Sequence, residues 1–198
     1  MNKRLYIAYG SNLNIAQMKF RCPTAKLYGT GRIENYELQF KGHPGCAYAT
    51  IGPRAGSSVP VAVWDITPTD EMSLDSYEGY PSHYFKRDLT VMLNNGETIN
   101  GMAYIMNLKM DFALPSKLYY NTVRVGYENM RLDVSYLDNA LMNSTYQYFR
   151  NSYGYNLHQS SFITDDEEYE SDEENEETED EDDDESEDIN DPFYYFSN

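Results

Sequence analysis

From residue 4 to residue 106 the apolar side chains recur mostly at every second position or in short runs, interrupted by two segments with helical spacing. Leu5 and Ile7 alternate with Tyr6 and Ala8 until Gly10 stops the pattern, which predicts a short buried strand ending at a Gly-Ser-Asn turn. Asn12 or Asn14 can then cap a helix whose Ile15, Met18 and Cys22 share one face and which ends before Pro23. Alternation resumes at Tyr36, Leu38 and Phe40, a shorter strand is predicted over 48–51, and an apolar run over 59–66 holds the one tryptophan, Trp64. Thr67-Pro68-Thr69-Asp70 supplies a cap, a proline at the first helical position and an acid at the third. A helix is therefore expected from 68 to about 77, with Gly79 just past its end and Glu78 at its C-terminus.

Beyond Pro81, two strand-like segments over 84–93 and 97–106 are joined by Asn94-Asn95-Gly96, and Asn-Gly is a strong hairpin signal. Ser116 can cap a helix running through Leu118, Thr122 and Val125. Ser135-Tyr136-Leu137-Asp138 has the spacing of a capping box for another, carrying Leu137, Ala140, Leu141 and Tyr148. Five or six strands with three or four interspersed helices, and no regular strand-helix alternation, predict an α+β fold: a small mixed sheet or barrel with flanking helices. This domain is expected to occupy residues 1–160.

The formal charge of -18 divides unevenly along the 198 residues. Between Asp165 and Asp191 there are 20 Asp and Glu and no Lys or Arg, which leaves 13 acids against 15 bases in residues 1–164. The segment 161–198 has too little apolar surface and too much like charge to offset the entropy of ordering, so a disordered acidic tail is expected. It closes with Pro192-Phe193-Tyr194-Tyr195-Phe196, an aromatic segment suited to docking on a protein partner. No basic patch stands out in the near-neutral body, which disfavours nucleic acid. Cys22 and Cys46 fit neither a disulfide framework nor a metal pattern, and His43, His83 and His158 are scattered, so no metal and no cofactor are expected. The apolar stretch 5–9 is too short for a signal segment and no run approaches 18 apolar residues, so a soluble cytoplasmic protein without a membrane span is expected.

Two stretches together resemble the gamma-glutamylcyclotransferase family: Tyr9-Gly10-Ser11-Asn12-Leu13, and Leu74-Asp75-Ser76-Tyr77-Glu78-Gly79-Tyr80-Pro81 roughly 65 residues later. The later segment 115–126 is similar as well, and the likeness covers roughly residues 4–140. It implies a compact barrel-like fold, an α-carboxylate-binding loop formed by Tyr9, Gly10, Ser11, Asn12 and Leu13, and Glu78 as the catalytic acid/base. It also implies tyrosines around the substrate, matched here by Tyr84 and Tyr119, with neighbouring Tyr80 and Tyr120 able to fill either role. The substrate implied is a small-molecule or peptide γ-glutamyl compound. Nothing in the family resembles the tail.

The chemistry suits these residue types. In the family's reaction the α-amine of a γ-glutamyl group attacks its own γ-carbonyl, a five-membered lactam closes, and 5-oxoproline leaves with release of an amine. One carboxylate can take the ammonium proton and return a proton to the departing nitrogen, the role expected of Glu78. A carboxylate at the negative end of a helix, beside the rings of Tyr77 and Tyr80, is expected to be harder to ionise than a free one. Backbone N–H groups at Gly10, Ser11 and Asn12 would form the anion-binding turn. Each motif also has a plainer meaning, as a common strand-to-helix turn and as a solvated helix end. A non-catalytic binding module of the same fold, or a related amide-cleaving or acyl-transfer enzyme, are the competing functions.

Overall fold

The computed structural model describes residues 4–107 and 109–153. The expected acidic tail, its aromatic end and the domain boundary near residue 160 lie outside the described residues.

Five strands close into a barrel in the order β1-β3-β2-β4-β5. Strand β1 (Arg4–Ala8) lies antiparallel to β3 (Cys46–Ile66), with Tyr6 opposite Trp64, and closes the barrel by a parallel pairing of Tyr6 with Met102 of β5 (Thr98–Met106). Strand β4 (Tyr84–Leu93) forms with β5 the hairpin that the Asn-Gly turn predicts, Met92 facing Thr98 at its tip. Strand β2 (Lys26–His43) connects β3 to β4 through Gly31 and Arg32.

The separate strands expected between 36 and 66 are parts of one long hairpin, and the expected gaps between them are only bends. Its register shifts between Glu34 and Tyr36, where Asn35 has φ 62° and the opposite strand bulges between Pro53 and Ser58. The Asn35 side chain accepts from Gly56 N–H at 3.1 Å, so one bulge braces the other. Below the bulge the hairpin is barrel wall. Above it, residues 36–43 and 46–53 form an upper arm whose Leu38, Phe40, Ala47 and Ala49 are buried, and the segment after β5 runs along it: Gly42 N–H donates to Asp111 O at 3.0 Å and Gly45 N–H to Leu114 O at 3.2 Å. Bulges of this kind bend a strand and re-aim its side chains.

The barrel interior is apolar, with Ile7, Ile33, Val59, Val61, Val63 and Ile105 all fully or almost fully buried. Helix α1 (Ile15–Arg21) is capped by Asn14, whose Oδ1 accepts from Ala16 and Gln17 N–H; Asn12, the alternative cap, is committed elsewhere. Helix α2 (Pro68–Glu78) starts with the expected capping box, Thr67 and Asp70 each accepting from the other's backbone N–H. It stops at Gly79, which adopts the left-handed φ 64°, ψ 37° that favours glycine; a Cβ there would lie 2.5 Å from His83 Nδ1 and would displace that side chain. Helix α3 (Lys117–Asn129) is capped by Ser116 as expected.

Helix α4 (Ser135–Tyr153) departs from expectation at its start. Ser135 is already helical, its N–H satisfied by Asp133 Oδ1 at 2.9 Å, and Asp138 accepts the hydroxyl of Tyr120 instead of closing a box. A tertiary partner has outcompeted a local one. Among the described residues no helix is long and apolar enough to cross a membrane.

Candidate active site

The barrel opens at one side into a cavity of about 660 Å³. Its walls come from the turn after β1, the C-terminal end of α2, the first residue of β4, the upper arm of the β2-β3 hairpin and the first turn of α3. These are elements distant in sequence, and each arrives for a local reason.

The turn is a single stretch of 3-10 helix over Ser11–Leu13, with Leu13 N–H donating to Gly10 O at 3.0 Å. Such a start leaves the N–H groups of Ser11 and Asn12 without intrahelical partners. Gly10 passes close to the hairpin arm: a Cβ at that position would lie 3.2 Å from Ala49 Cβ and 3.4 Å from the Tyr119 hydroxyl. Tyr9, Gly10, Ser11 and Asn12 all line the cavity. Leu13, grouped with them in the sequence motif, does not line it. It is fully buried beneath the turn against Gly126 of α3, and its contribution is to seat the four residues before it.

Glu78 reaches the same cavity from the last position of α2, where the Gly79 stop aims it across the opening. Asn12 Nδ2 donates to Glu78 Oε1 at 3.0 Å and to the Tyr6 hydroxyl at 2.8 Å. The turn and the glutamate, 66 residues apart, therefore touch directly. The Glu78 side chain is half-buried, open only toward the cavity, and burial pushes its carboxyl up to about 7; Arg21 and the Asn12 hydrogen bond pull in the opposite direction. Of the two rings expected beside Glu78, Tyr77 lines the same cavity, beneath Arg21, whereas Tyr80 turns outward and takes the Lys86 ammonium over its ring at 4.7 Å. Tyr6, Tyr9, Tyr84, Tyr104 and Tyr119 also line the cavity, their hydroxyls within the field of the Glu78 charge. Burial raises each of these hydroxyls, with the Glu78 charge adding to it, so they stay protonated as neutral donors while Glu78 titrates near neutrality.

Tyr84 and Tyr119, rather than Tyr80 and Tyr120, reach the cavity. They bracket the backbone of one residue: Tyr84 donates to Ala49 O at 3.0 Å, and Ala49 N–H donates to the Tyr119 hydroxyl at 3.2 Å. Tyr120, on the next position of α3, points the other way, into the Phe40 ring and the Asp138 carboxylate. Which tyrosine of each pair serves the site depends on the direction in which its element is docked.

Sequence reading overlooked Arg21, Tyr6 and Tyr104. Arg21 ends α1, about two turns after the Ser11–Leu13 stretch, and its guanidinium donates to Asn12 Oδ1 at 2.6 Å and lies 3.5 Å above the Tyr77 ring. The clue available was a cation in the last turn of a short helix that follows the Tyr-Gly-Ser-Asn motif. Tyr104 holds α2 in place, its hydroxyl donating to Asp75 Oδ1 at 2.5 Å, while its carbonyl accepts the Tyr9 hydroxyl. Lys86 bridges Asp75 and Glu71 on the same helix at 2.7 Å each. Among the described residues no three His, Cys, Asp or Glu side chains gather in a way that could hold a metal ion.

Comparison with known proteins converges on one family. Residues 6–121 match the family described as gamma-glutamyl cyclotransferase, AIG2-like. The chain is 30% identical over 140 residues to the gamma-glutamylcyclotransferase of Bos taurus, a match spanning 67% of this chain and 74% of the relative. It is 29% identical, over the same shares, to the gamma-glutamylcyclotransferase of Homo sapiens. A solved structure named gamma-glutamyl cyclotransferase superposes with a TM-score of 0.65 at 27% identity, covering 70% of this chain and 86% of that one. YkqA from Bacillus subtilis shares the fold at a TM-score of 0.62 with 17% identity, over 73% of this chain and 55% of that one. With more than half of its residues matched to the family and a bovine relative at 30% identity, the chain belongs to the gamma-glutamylcyclotransferase-like family of enzymes.

Proposed function

We propose that the enzyme converts a γ-glutamyl amine, peptide or isopeptide to 5-oxoproline and a free amine, with Glu78 as the single acid/base. The contact between Glu78 and Asn12 at 3.0 Å, inside one cavity, carries this reading. It brings the carboxylate-binding turn and the proton carrier close enough to act on the two ends of one amino-acid moiety.

In this mechanism the substrate α-carboxylate rests on the N–H groups of Ser11 and Asn12. Ionised Glu78 takes a proton from the α-ammonium. The freed amine adds to the γ-carbonyl, a C–N bond forms, and the carbonyl oxygen gathers negative charge. Tyr119 supports it: its oxygen already accepts from Ala49 N–H, which leaves its own proton to donate toward the substrate. Collapse breaks the bond to the leaving nitrogen, which receives the proton from Glu78. The ring nitrogen, still carrying two protons, gives one to the re-ionised Glu78, which passes it to the departing amine, so that a neutral lactam and an ammonium leave. Water is neither consumed nor produced.

Most of the rate enhancement is then a matter of folding one substrate into its ring-closing shape, since well-oriented internal reactions reach effective molarities of about 10⁵ to 10⁸ M. A carboxyl near pH 7 is suited to both halves of the proton transfer. Incubation with a panel of γ-glutamyl compounds, with mass detection of the product, tests the proposal. A mass corresponding to 5-oxoproline supports ring closure; free glutamate would mean hydrolysis, and no turnover across the panel would favour a binding module.

A further inference from the structure

We propose that Arg21 is the positioning residue of this site: by gripping the carbonyl end of the Asn12 amide it forces the amine end onto Glu78. The inference deepens the cyclotransferase reading and rests on it for its kinetic consequences only.

A guanidinium has donors and no acceptor. The Asn12 atom 2.6 Å from Arg21 Nη1 must therefore be the carbonyl oxygen, and the amide cannot rotate without setting its amine against a cation. The amine end is left facing the Tyr6 hydroxyl at 2.8 Å and Glu78 Oε1 at 3.0 Å. Asn12 thus always offers Glu78 a donor, which favours the ionised carboxylate. Without Arg21 the amide is free to turn its oxygen to a protonated Glu78 and favour the acid instead.

The guanidinium is itself held on three sides. Nη2 donates to Gln17 Oε1 at 2.6 Å one turn back along α1, Nη1 is shared with Ser11 Oγ at 3.3 Å, and the plane lies 3.5 Å over the Tyr77 ring. Ser11 Oγ also lies 3.2 Å from the Tyr77 hydroxyl, so α1, the turn and the last turn of α2 meet around this one cation. A lysine keeps the charge but not the planar fork that these partners fit.

The titratable groups that face Glu78 from the packed elements are Tyr6 of β1, Tyr9 beyond it, Tyr84 of β4, Tyr104 of β5, Tyr119 of α3 and Arg21 of α1. Tyr77 of α2, His83 of the turn before β4, and His43, Cys46 and Tyr48 of the hairpin arm line the same cavity. The five tyrosines stay neutral while Glu78 titrates, so of these six groups Arg21 supplies the charge that assists its ionisation.

The test is a carboxyl-carbon NMR titration of the full-length chain, with the Glu78 signal identified by its loss in E78Q, compared across R21M, R21Q and R21K. Removing the cation in R21M should raise the Glu78 midpoint by about one unit, the lower end of the effect of a neighbouring opposite charge. The neutral R21Q carries the same expectation should R21M fail to fold, as a thermal melt would reveal. R21K should return the midpoint most of the way but not the turnover number, because the charge is restored and the fork is not. A midpoint in the folded neutral variants equal to that of the natural chain would overturn the proposal. The titration needs no substrate: if the natural chain forms no 5-oxoproline, the cyclotransferase reading fails while the Arg21 assignment is still decided.

Discussion

Leu13 and Gly126 meet so closely that a side chain on the glycine would have no room: a Cβ there would lie 2.7 Å from Leu13 Cβ and 2.8 Å from Asn14 N. Helix α3 thereby carries the cavity-lining turn on its back, with Asn14 Nδ2 donating to Thr122 O at 3.3 Å and Asn129 Oδ1 accepting from Ile15 N–H at 3.1 Å. Gly126→Ala should improve intrinsic helix propensity by about 1 kcal/mol, but overpacking against backbone that cannot yield costs roughly 1 to 3 kcal/mol. The net effect expected in a denaturant melt is destabilisation. Displacement of the turn should raise KM for a γ-glutamyl substrate.

Glu78→Gln should lower kcat by about 10² to 10⁴, the range of general acid/base catalysis. Single-turnover measurement with an active γ-glutamyl compound checks this, and a variant retaining full turnover would remove Glu78 from the mechanism.

With a carboxyl raised to about 7, the ionised base is depleted as pH falls. In the natural chain log kcat/KM should therefore drop by one per pH unit below about 7 and level off above it. An acid limb near 4.5 instead would mean that the cavity does not shield Glu78.

The same shift makes a stability prediction of opposite sense. Folded Glu78 holds its proton to about pH 7 and the unfolded residue only to about 4.5. Its contribution to stability is full below the lower value and is lost as pH rises through the upper one. Glu78→Gln, with nothing to ionise, should melt higher than the natural chain at pH 8, by up to about 3 kcal/mol. Melts at pH 4.5 and pH 8 should show the difference closing at the acid end.

Adjacent tyrosines on α3 should separate cleanly. Tyr119→Phe removes the hydroxyl shared between Ala49 and the cavity and should lower kcat/KM about tenfold, close to 1.4 kcal/mol of transition-state stabilisation. Tyr120→Phe leaves the Asp138 carboxylate without its hydroxyl donor and should cost about 1 kcal/mol of stability with turnover unchanged. Paired melts and kinetics on the two variants decide it; an exchange of the two effects would mean that α3 is docked with the opposite face inward.

Local signals along the chain were sufficient wherever the cause of structure is local. The Thr67 capping box, the Gly79 stop and the Asn-Gly hairpin each depend on residues within a few positions of one another, and each forms as its pattern requires. The two family motifs also name the turn and the glutamate. What the chain pattern leaves open is decided by packing. The long β2-β3 hairpin looks like three strands because its bulges interrupt alternation without interrupting pairing. Asn12 and Asn14 are equivalent as caps until tertiary partners claim Asn12 for Glu78 and leave Asn14 to the helix. Tyr119 and Tyr120 differ by one position, a rotation of about 100° that only the docking of α3 resolves. Arg21 carries no motif of its own; it matters because three elements converge on it, and convergence is a property of the folded chain.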